Sequence, residues 1–399
     1  MYRLTRNLRT LAFLAVIAAV LAGVGALWWA NHTGLPAAWR AAIERHVAKQ
    51  GAHVKIGSLR YAIFQGIIAT DVRVYSEAEH LREISRLERV ILDFDKTKLA
   101  RGKLHLYKIQ LDHARLTMPV DPQNPDLETL HVLDANGTVF MHGDRRLEVR
   151  GARGKIAGID VTLDARIIGY QQDGKKPPDD SHIRRRRELL AKIIGELGKW
   201  QFNEKRPPSI RITVEGNINE RSSLIAKLAL HVYDMEKNGH VIDEVTATAD
   251  LAGDLVTVTS LRASDPRGVF EGHIDYNIQD REGRFDVTSS LEVPELLSAW
   301  LGLPSPMDVE IRGRQFLDAG GSFHLDDQNR PQIRMTGHAR CEALSLRGIA
   351  FKAVEGAFSW RDGNLFLRDV RIIRDDGRAE GKAMVEWPLI RLALHSTLP

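Results

Sequence analysis

Asp93 and Asp95, two carboxylates separated by one residue, are the nearest thing in this chain to a metal-binding pair. On a strand they project to one side and could share a hard cation, but the same spacing describes an ordinary solvent face, which is the expectation here. Asn136-Gly137-Thr138 fits a glycosylation acceptor. It also fits a hairpin turn, where Asn-Gly is favoured, and the turn is expected. The histidines are scattered, with His231 and His240 read as strand-surface positions. A single cysteine, Cys341, rules out an intramolecular disulfide and reads as a small buried hydrophobe. The chain has no Walker loop, nucleophile elbow, dinucleotide fingerprint or paired-histidine zinc helix. It therefore offers no catalytic residue, no cofactor-binding residue and no metal ligand set to assign. A hydrolase would need a nucleophile, a base or a metal set, and none is present, so the expectation is a protein that is not an enzyme.

Charge narrows the partners. The 56 basic and 52 acidic residues nearly balance, leaving a net charge of +4 and no basic domain interleaved with aromatics, so nucleic acid is not expected. The basic residues concentrate in one place, Arg184, Arg185, Arg186 and Arg187, in the first turns of a helix expected over residues 181–200. Leu190, Ile193, Ile194 and Leu197 give that helix one apolar stripe. Four bases at a helix start oppose the helix dipole. They suit anionic lipid headgroups, where each base near the surface contributes about 1 kcal/mol. They equally suit a solvated face on a helix that caps the sheet.

The elements that position these residues begin with residues 1–10, a basic stub carrying Arg3, Arg6 and Arg9. Residues 11–30 are uncharged and almost wholly apolar, long enough as a helix to cross about 30 Å of hydrocarbon. Trp28 and Trp29 stand where an interfacial aromatic belt would be, and the arginines obey the positive-inside bias. An uncleaved single-span anchor is expected; a signal peptide cleaved near Val24-Gly25-Ala26 is the rival. Pro36 and Gly51 bracket a second helix within residues 34–51, whose Trp39, Ile43 and Val47 form one apolar face placed against the first strands.

From Ala52 onward the hydrophobic period changes from 3.6 to 2, over residues 52–170 and again over 209–399. Val54 and Ile56, Val72 and Val74, and Val90, Leu92 and Phe94 alternate with polar neighbours. Leu104 and Leu106 follow, then a change of face through Ile109 and Leu111 of the kind a bulge gives. Later runs are Ile210, Ile212 and Val214; Leu228 and Leu230; Val256 and Val258; and Leu365 and Leu367. Residues 171–208 interrupt with a Pro-containing loop and the basic helix, and a short helix is expected near 294–301. Gly253-Asp254-Leu255 is answered by Gly363-Asn364-Leu365, and the stretch from Asp265 to Gly272 by that from Asp375 to Gly381, with a Glu-Gly pair ahead of each return strand. Such a repeat argues for an elongated, stacked antiparallel sheet, with chance similarity between hairpins as the alternative.

A sheet with one apolar face must cover it. Few helices are available, so the face meets another sheet, curls round, or encloses something apolar. Val, Ile, Leu and Ala suit a packed sandwich. They suit equally a trough for acyl chains, at about 25 cal/mol per Å² buried. The alternating residues named above, from Val54 to Leu106 and from Ile210 to Leu367, are the candidate lining. At about 12 residues per strand the chain holds fewer than about 30 strands, or at most about 140 Å of stacked sheet.

The order of parts resembles the AsmA-like family of Gram-negative envelope proteins, within the bridge-like lipid-transfer group of repeating β-grooves. The likeness rests on the stub and anchor, the Pro36–Gly51 helix, the run from Gly51 to Leu59, Gly66-Ile67 leading into Asp71-Val72-Arg73-Val74, and the strand–turn–strand unit from Gly363 to Ile372 with Gly377-Arg-Ala-Glu-Gly381. It covers most of the chain with degenerate motifs, and the basic helix at 181–200 has no match in it. The resemblance implies a mainly β, taco-like groove on an inner-membrane anchor. The bulk of the chain would stand in the periplasm of a bacterium. Its role would be moving phospholipid between membranes or maintaining the outer membrane. Membrane phospholipid is the implied partner, with an envelope protein or a second copy of the chain sharing the path. A non-transporting assembly module with a closed β core is the alternative.

Overall fold

The computed structural model describes residues 34–48, 53–62, 66–75, 83–99, 105–119, 129–142, 145–169, 200–217, 219–237, 240–291, 309–326, 330–346, 348–361, 363–386 and 389–397. The expected anchor at 11–30, Leu104, the basic helix with Arg184, Arg185, Arg186 and Arg187, and the helix near 294–301 lie outside them. Among the described residues no helix is long and apolar enough to cross a membrane. Among the described residues the chain is mainly β, with twenty strands in one antiparallel sheet that does not close. Two compact units divide it, residues 1–157 with 163–192, and residues 158–162 with 193–399.

In the first unit, helix α1 (Ala37–Ala48) precedes β1 (His53–Ala62), β2 (Gly66–Tyr75) and β3 (Glu83–Phe94). One turn of helix, α2 (Lys96–Leu99), leads to β4 (Leu106–Pro119), β5 (Thr129–Met141) and β6 (Arg146–Ile156). Each strand pairs antiparallel with the next from β1 to β6. Residues opposite each other share a face, so the register carries the apolar set across the sheet: Tyr61, Ile67, Leu92, Ile109, Val139 and Val149 form one such row. The expected change of face near Leu106 is real. Asp93 pairs with Lys108 and Phe94 with Leu106, so Tyr107 is the extra residue of a bulge.

β7 (Ile159–Ile168) follows β6 through Ala157 and Gly158, both at positive φ (49° and 84°), the backbone of a tight two-residue hairpin. The second unit then contains β8 (Ser209–Asn217), a 3₁₀ turn at Arg221–Ser223, β9 (Ile225–Lys237), β10 (His240–Ala252), β11 (Leu255–Ser264), β12 (Val269–Asn277) and β13 (Glu282–Ser289). After them come β14 (Val309–Ile311), β15 (Gln315–Leu325), β16 (Pro331–Leu346), β17 (Ile349–Arg361), β18 (Asn364–Arg374), β19 (Gly377–Glu386) and β20 (Leu389–Ser396). Pairing runs in sequence order, except that β13 pairs with β15 and the short β14 pairs with β16.

The repeated segments occupy matching places. On β11 and β12, Leu261 faces Gly272 and Arg262 faces Glu271, just past a register break. On β18 and β19, Val370 faces Gly381 and Arg371 faces Glu380, again just past a break. The Glu-Gly pairs lie inside the return strands rather than ahead of them, because the bulge absorbs the slip within the ladder.

Candidate functional site

The expected lining residues meet two different fates. In the first unit Ile56, Val72, Val90, Leu92, Phe94 and Leu106 are buried in one cluster with Ile43 of α1, which is 1% exposed. Val54 packs on that cluster and Val74 is half-buried. Three polar contacts hold the helix down: Leu35 N donates to Leu59 O at 2.6 Å, Arg40 Nη1 to Gly57 O at 2.7 Å, and Ile56 N to Glu44 Oε1 at 2.8 Å. These positions form a packed core and leave no open lining, because α1 covers the face that the strands present. Val47 packs on the core as expected, whereas Trp39 is exposed.

In the second unit Ile210, Ile212, Val214, Leu228, Leu230, Val256, Val258, Leu365 and Leu367 all fall on one face. Register proves it. Ile212 faces Leu228, and the row continues through Ala249, Val258, Ile274, Phe285, Gly321, Met335 and Trp360 to Leu365. The next row runs from Ile210 and Leu230 through Ala247, Leu261, Gly272, Val287, Ala319, Gly337 and Phe358 to Leu367. No charged side chain interrupts either row, and the indole N–H of Trp360 is the one polar group in them.

Apart from the buried Ala319, these rows are half-buried rather than sealed, and Leu228 keeps 39% of its surface exposed. No described helix of the second unit covers them. One end of the face is closed: Val232, Met235, Ile242, Val245, Ala263 and Leu291 form a core, plugged by Trp200 and Phe202. The segment carrying those rings is tied to β9 by two 2.9 Å hydrogen bonds between Gln201 and Glu236. Beyond that plug no described helix lies over the rows.

Ile274, Phe285, Met335 and Trp360 complete the face and were not among the expected residues. Their strands are diluted by glycines. Period 2 does mark one of them, since Phe285, together with Val287, alternates with Arg284, Asp286 and Thr288. Glycine also has a packing role here. Gly283 stands between Tyr276 and Phe323, whose rings stack across it at 5.8 Å, and a Cβ at Gly283 would strike the Phe323 ring.

The opposite face is polar. Asp275, Arg284, Ser322 and Arg334 follow one another along it. Thr257 Oγ1 donates to Asp275 at 2.8 Å and holds its carboxyl below the usual range, with His273 adding to the effect. Shallow depressions mark this face, one of about 720 Å³ beside Asp275 and Arg334 and one of about 330 Å³ beside Arg284 and Arg361.

The chemically suggestive residues have other partners. Asp93 lies 3.6 Å from Lys108 Nζ. Asp95 does not share its strand face, because β3 ends at Phe94. Its Oδ1 instead accepts from Thr97 N and Lys98 N at 2.9 and 3.2 Å, capping α2 and lowering its pKa. Asn136-Gly137 is not a hairpin turn but the interior of β5. Asn136 Oδ1 accepts from His113 N at 3.0 Å, across a bulge where His113 Nδ1 meets Asp134 at 2.8 Å. Gly137 has φ 150°, and a Cβ there would sit 2.7 Å from Ala152 Cα, so close strand packing explains the glycine. His231 contacts Glu244 at 2.7 Å, and its ring lies 4.2 Å from that of Tyr233 at a tilt of 37°. Cys341 is half-buried, and burial raises its thiol pKa. Among the described residues no three His, Cys, Asp or Glu side chains are grouped to hold a metal ion.

Asp71, Asp134, Asp234 and Asp369 take φ values between 47° and 55° within strands, where a short polar side chain tolerates the left-handed region. Asp71 is then held by Arg73 and Arg86, at 3.0 and 2.7 Å, which depress its pKa. Asp234 is held by Asn203 at 2.7 Å and by Arg206. Comparison with protein-family models, with curated proteins and with solved structures returns no match.

Proposed function

We propose that this is a non-enzymatic, single-span protein of the bacterial inner membrane whose periplasmic β body handles phospholipid, in transport between membranes or in outer-membrane maintenance. In this reading the second unit curls about its apolar face into a groove. The observation that carries it is the pair of uninterrupted apolar rows from β8 to β18 that no described helix covers. An undirected apolar surface suits acyl chains, which need area rather than hydrogen bonds. The resemblance to the AsmA-like family supports the same reading and supplies the membrane and compartment.

The test is lipid analysis of the full chain purified in mild detergent, by extraction and mass spectrometry. Co-purified phospholipid is expected. Phe285→Asp, at the middle of a row, should lower it several-fold while the circular dichroism of the sheet persists. No bound lipid, or an amount unchanged by the substitution, would overturn the reading.

The closed core under α1 favours a second reading, an assembly module that carries nothing and offers a sheet edge to an envelope partner or a second copy. It predicts that lipid is absent from the purified chain and that a partner protein co-purifies instead.

A further inference from the structure

One depression on the polar face has a chemistry that the apolar rows do not explain. It lies over β17 to β20 and has a volume of about 580 Å³. Arg361, Arg368, Lys382 and Arg391 line it, all four are exposed, and no carboxylate is among its lining residues. Phe366 faces Met384, and Met384 faces Arg391, so an aromatic ring and a thioether share one row with a guanidinium. Both apolar side chains are half-buried. The neighbouring carboxylate of Glu355 is already engaged, 3.8 Å from Arg340 and 3.3 Å from Arg371.

Like charges on adjacent strands repel, and a bound anion relieves that repulsion. Guanidinium groups match phosphate oxygens in pairs, and a lysine adds a point charge. Bases alone would serve any small anion. Phe366 and Met384 add an apolar floor, which a free ion cannot use and which the first methylene groups of a lipid can. We propose that this depression binds the phosphate-bearing headgroup of an anionic lipid. Leu367 and Ala383 of the apolar row also border it, but Phe366, Met384 and Arg391 lie in the adjacent row on the other face, so substitutions there test this site apart from the proposed groove.

The experiment is calorimetric titration of the full chain in neutral detergent with three probes: dihexanoyl phosphatidic acid, dihexanoyl phosphatidylcholine and inorganic phosphate. Each base near an anionic surface is worth roughly fivefold, so phosphatidic acid should bind at least about tenfold more tightly than phosphatidylcholine. Arg361→Gln, Arg368→Gln, Lys382→Gln and Arg391→Gln together should abolish that preference and leave phosphatidylcholine binding, which reports the apolar rows, unchanged. Phe366→Ser should weaken phosphatidic acid but not phosphate, which keeps the test valid if the fourfold variant fails to fold. Equal affinity for the two lipids, a preference that survives loss of the four bases, or phosphate binding as tight as phosphatidic acid would overturn the proposal.

Discussion

Leu228 of β9 stands directly across from Ile212 of β8 and still exposes 39% of its surface. Ile43 of α1, equally apolar, exposes 1%. The contrast separates side chains that stabilise the fold from side chains that present a surface. Ile43→Ala should lower stability by about 2–5 kcal/mol, the range for opening a cavity in a sealed core. Leu228→Ala should cost under about 1 kcal/mol, because water already reaches it. Chemical denaturation of both variants measures the difference. Equal losses would mean that the face around Leu228 is sealed.

Glu148 predicts an acid transition. Its carboxylate, 12% exposed, accepts from Arg150 at 2.9 Å and lies 3.5 and 3.6 Å from His142 and Arg166. The Arg150 hydrogen bond leads these effects, and the pKa falls from 4.5 to about 2. A carboxyl depressed in the folded state stabilises fully above its unfolded pKa. That contribution is lost as pH falls from about 4.5 through about 2. Glu148→Gln should therefore flatten stability against pH in that window and lower stability near neutrality. Thermal melts across the range check it, and an unchanged acid limb would contradict it.

The stacked rings over Gly283 give a packing prediction. Gly283→Ala would push Phe323 off Tyr276 and crowd the Asp275 carbonyl, 2.8 Å from the new Cβ. The expected cost is about 1–3 kcal/mol, as for other overpacked sites. The double variant Gly283→Ala with Phe323→Leu should recover part of it, because the clash is with the ring. Failure to recover any stability would place the clash at the backbone instead.

Arg262 and Glu271 form an ion pair across β11 and β12, with side chains 46% and 56% exposed. The first repeat copy thus places a pair where solvent screens it. A double-mutant cycle should give a coupling of no more than about 1 kcal/mol, shrinking with salt. A larger, salt-insensitive value would mean that the pair is shielded.

What the sequence disclosed was period and punctuation. Ile210-Ile212-Val214 and Leu365-Leu367 alternate cleanly, and the register brings them to one face as alternation requires. The slip near Leu106 announced the bulge at Tyr107. Long-range packing was not legible. Nothing local in Asn136-Gly137 tells that Ala152 presses on it from β6, so a turn pattern became a strand interior. Nothing in Val72 or Leu92 tells that α1 lies above them while no described helix lies above Val258. Asp95 read as a strand residue because the end of β3 at Phe94 carries no Gly or Pro signal.

The most direct measurement places a photoreactive benzoylphenylalanine at Phe285 or, one residue on and on the other face, at Asp286, in cells making the full chain. Phospholipid adducts are expected at 285 and few at 286. Adducts at neither position, or equal adducts at both, would contradict it.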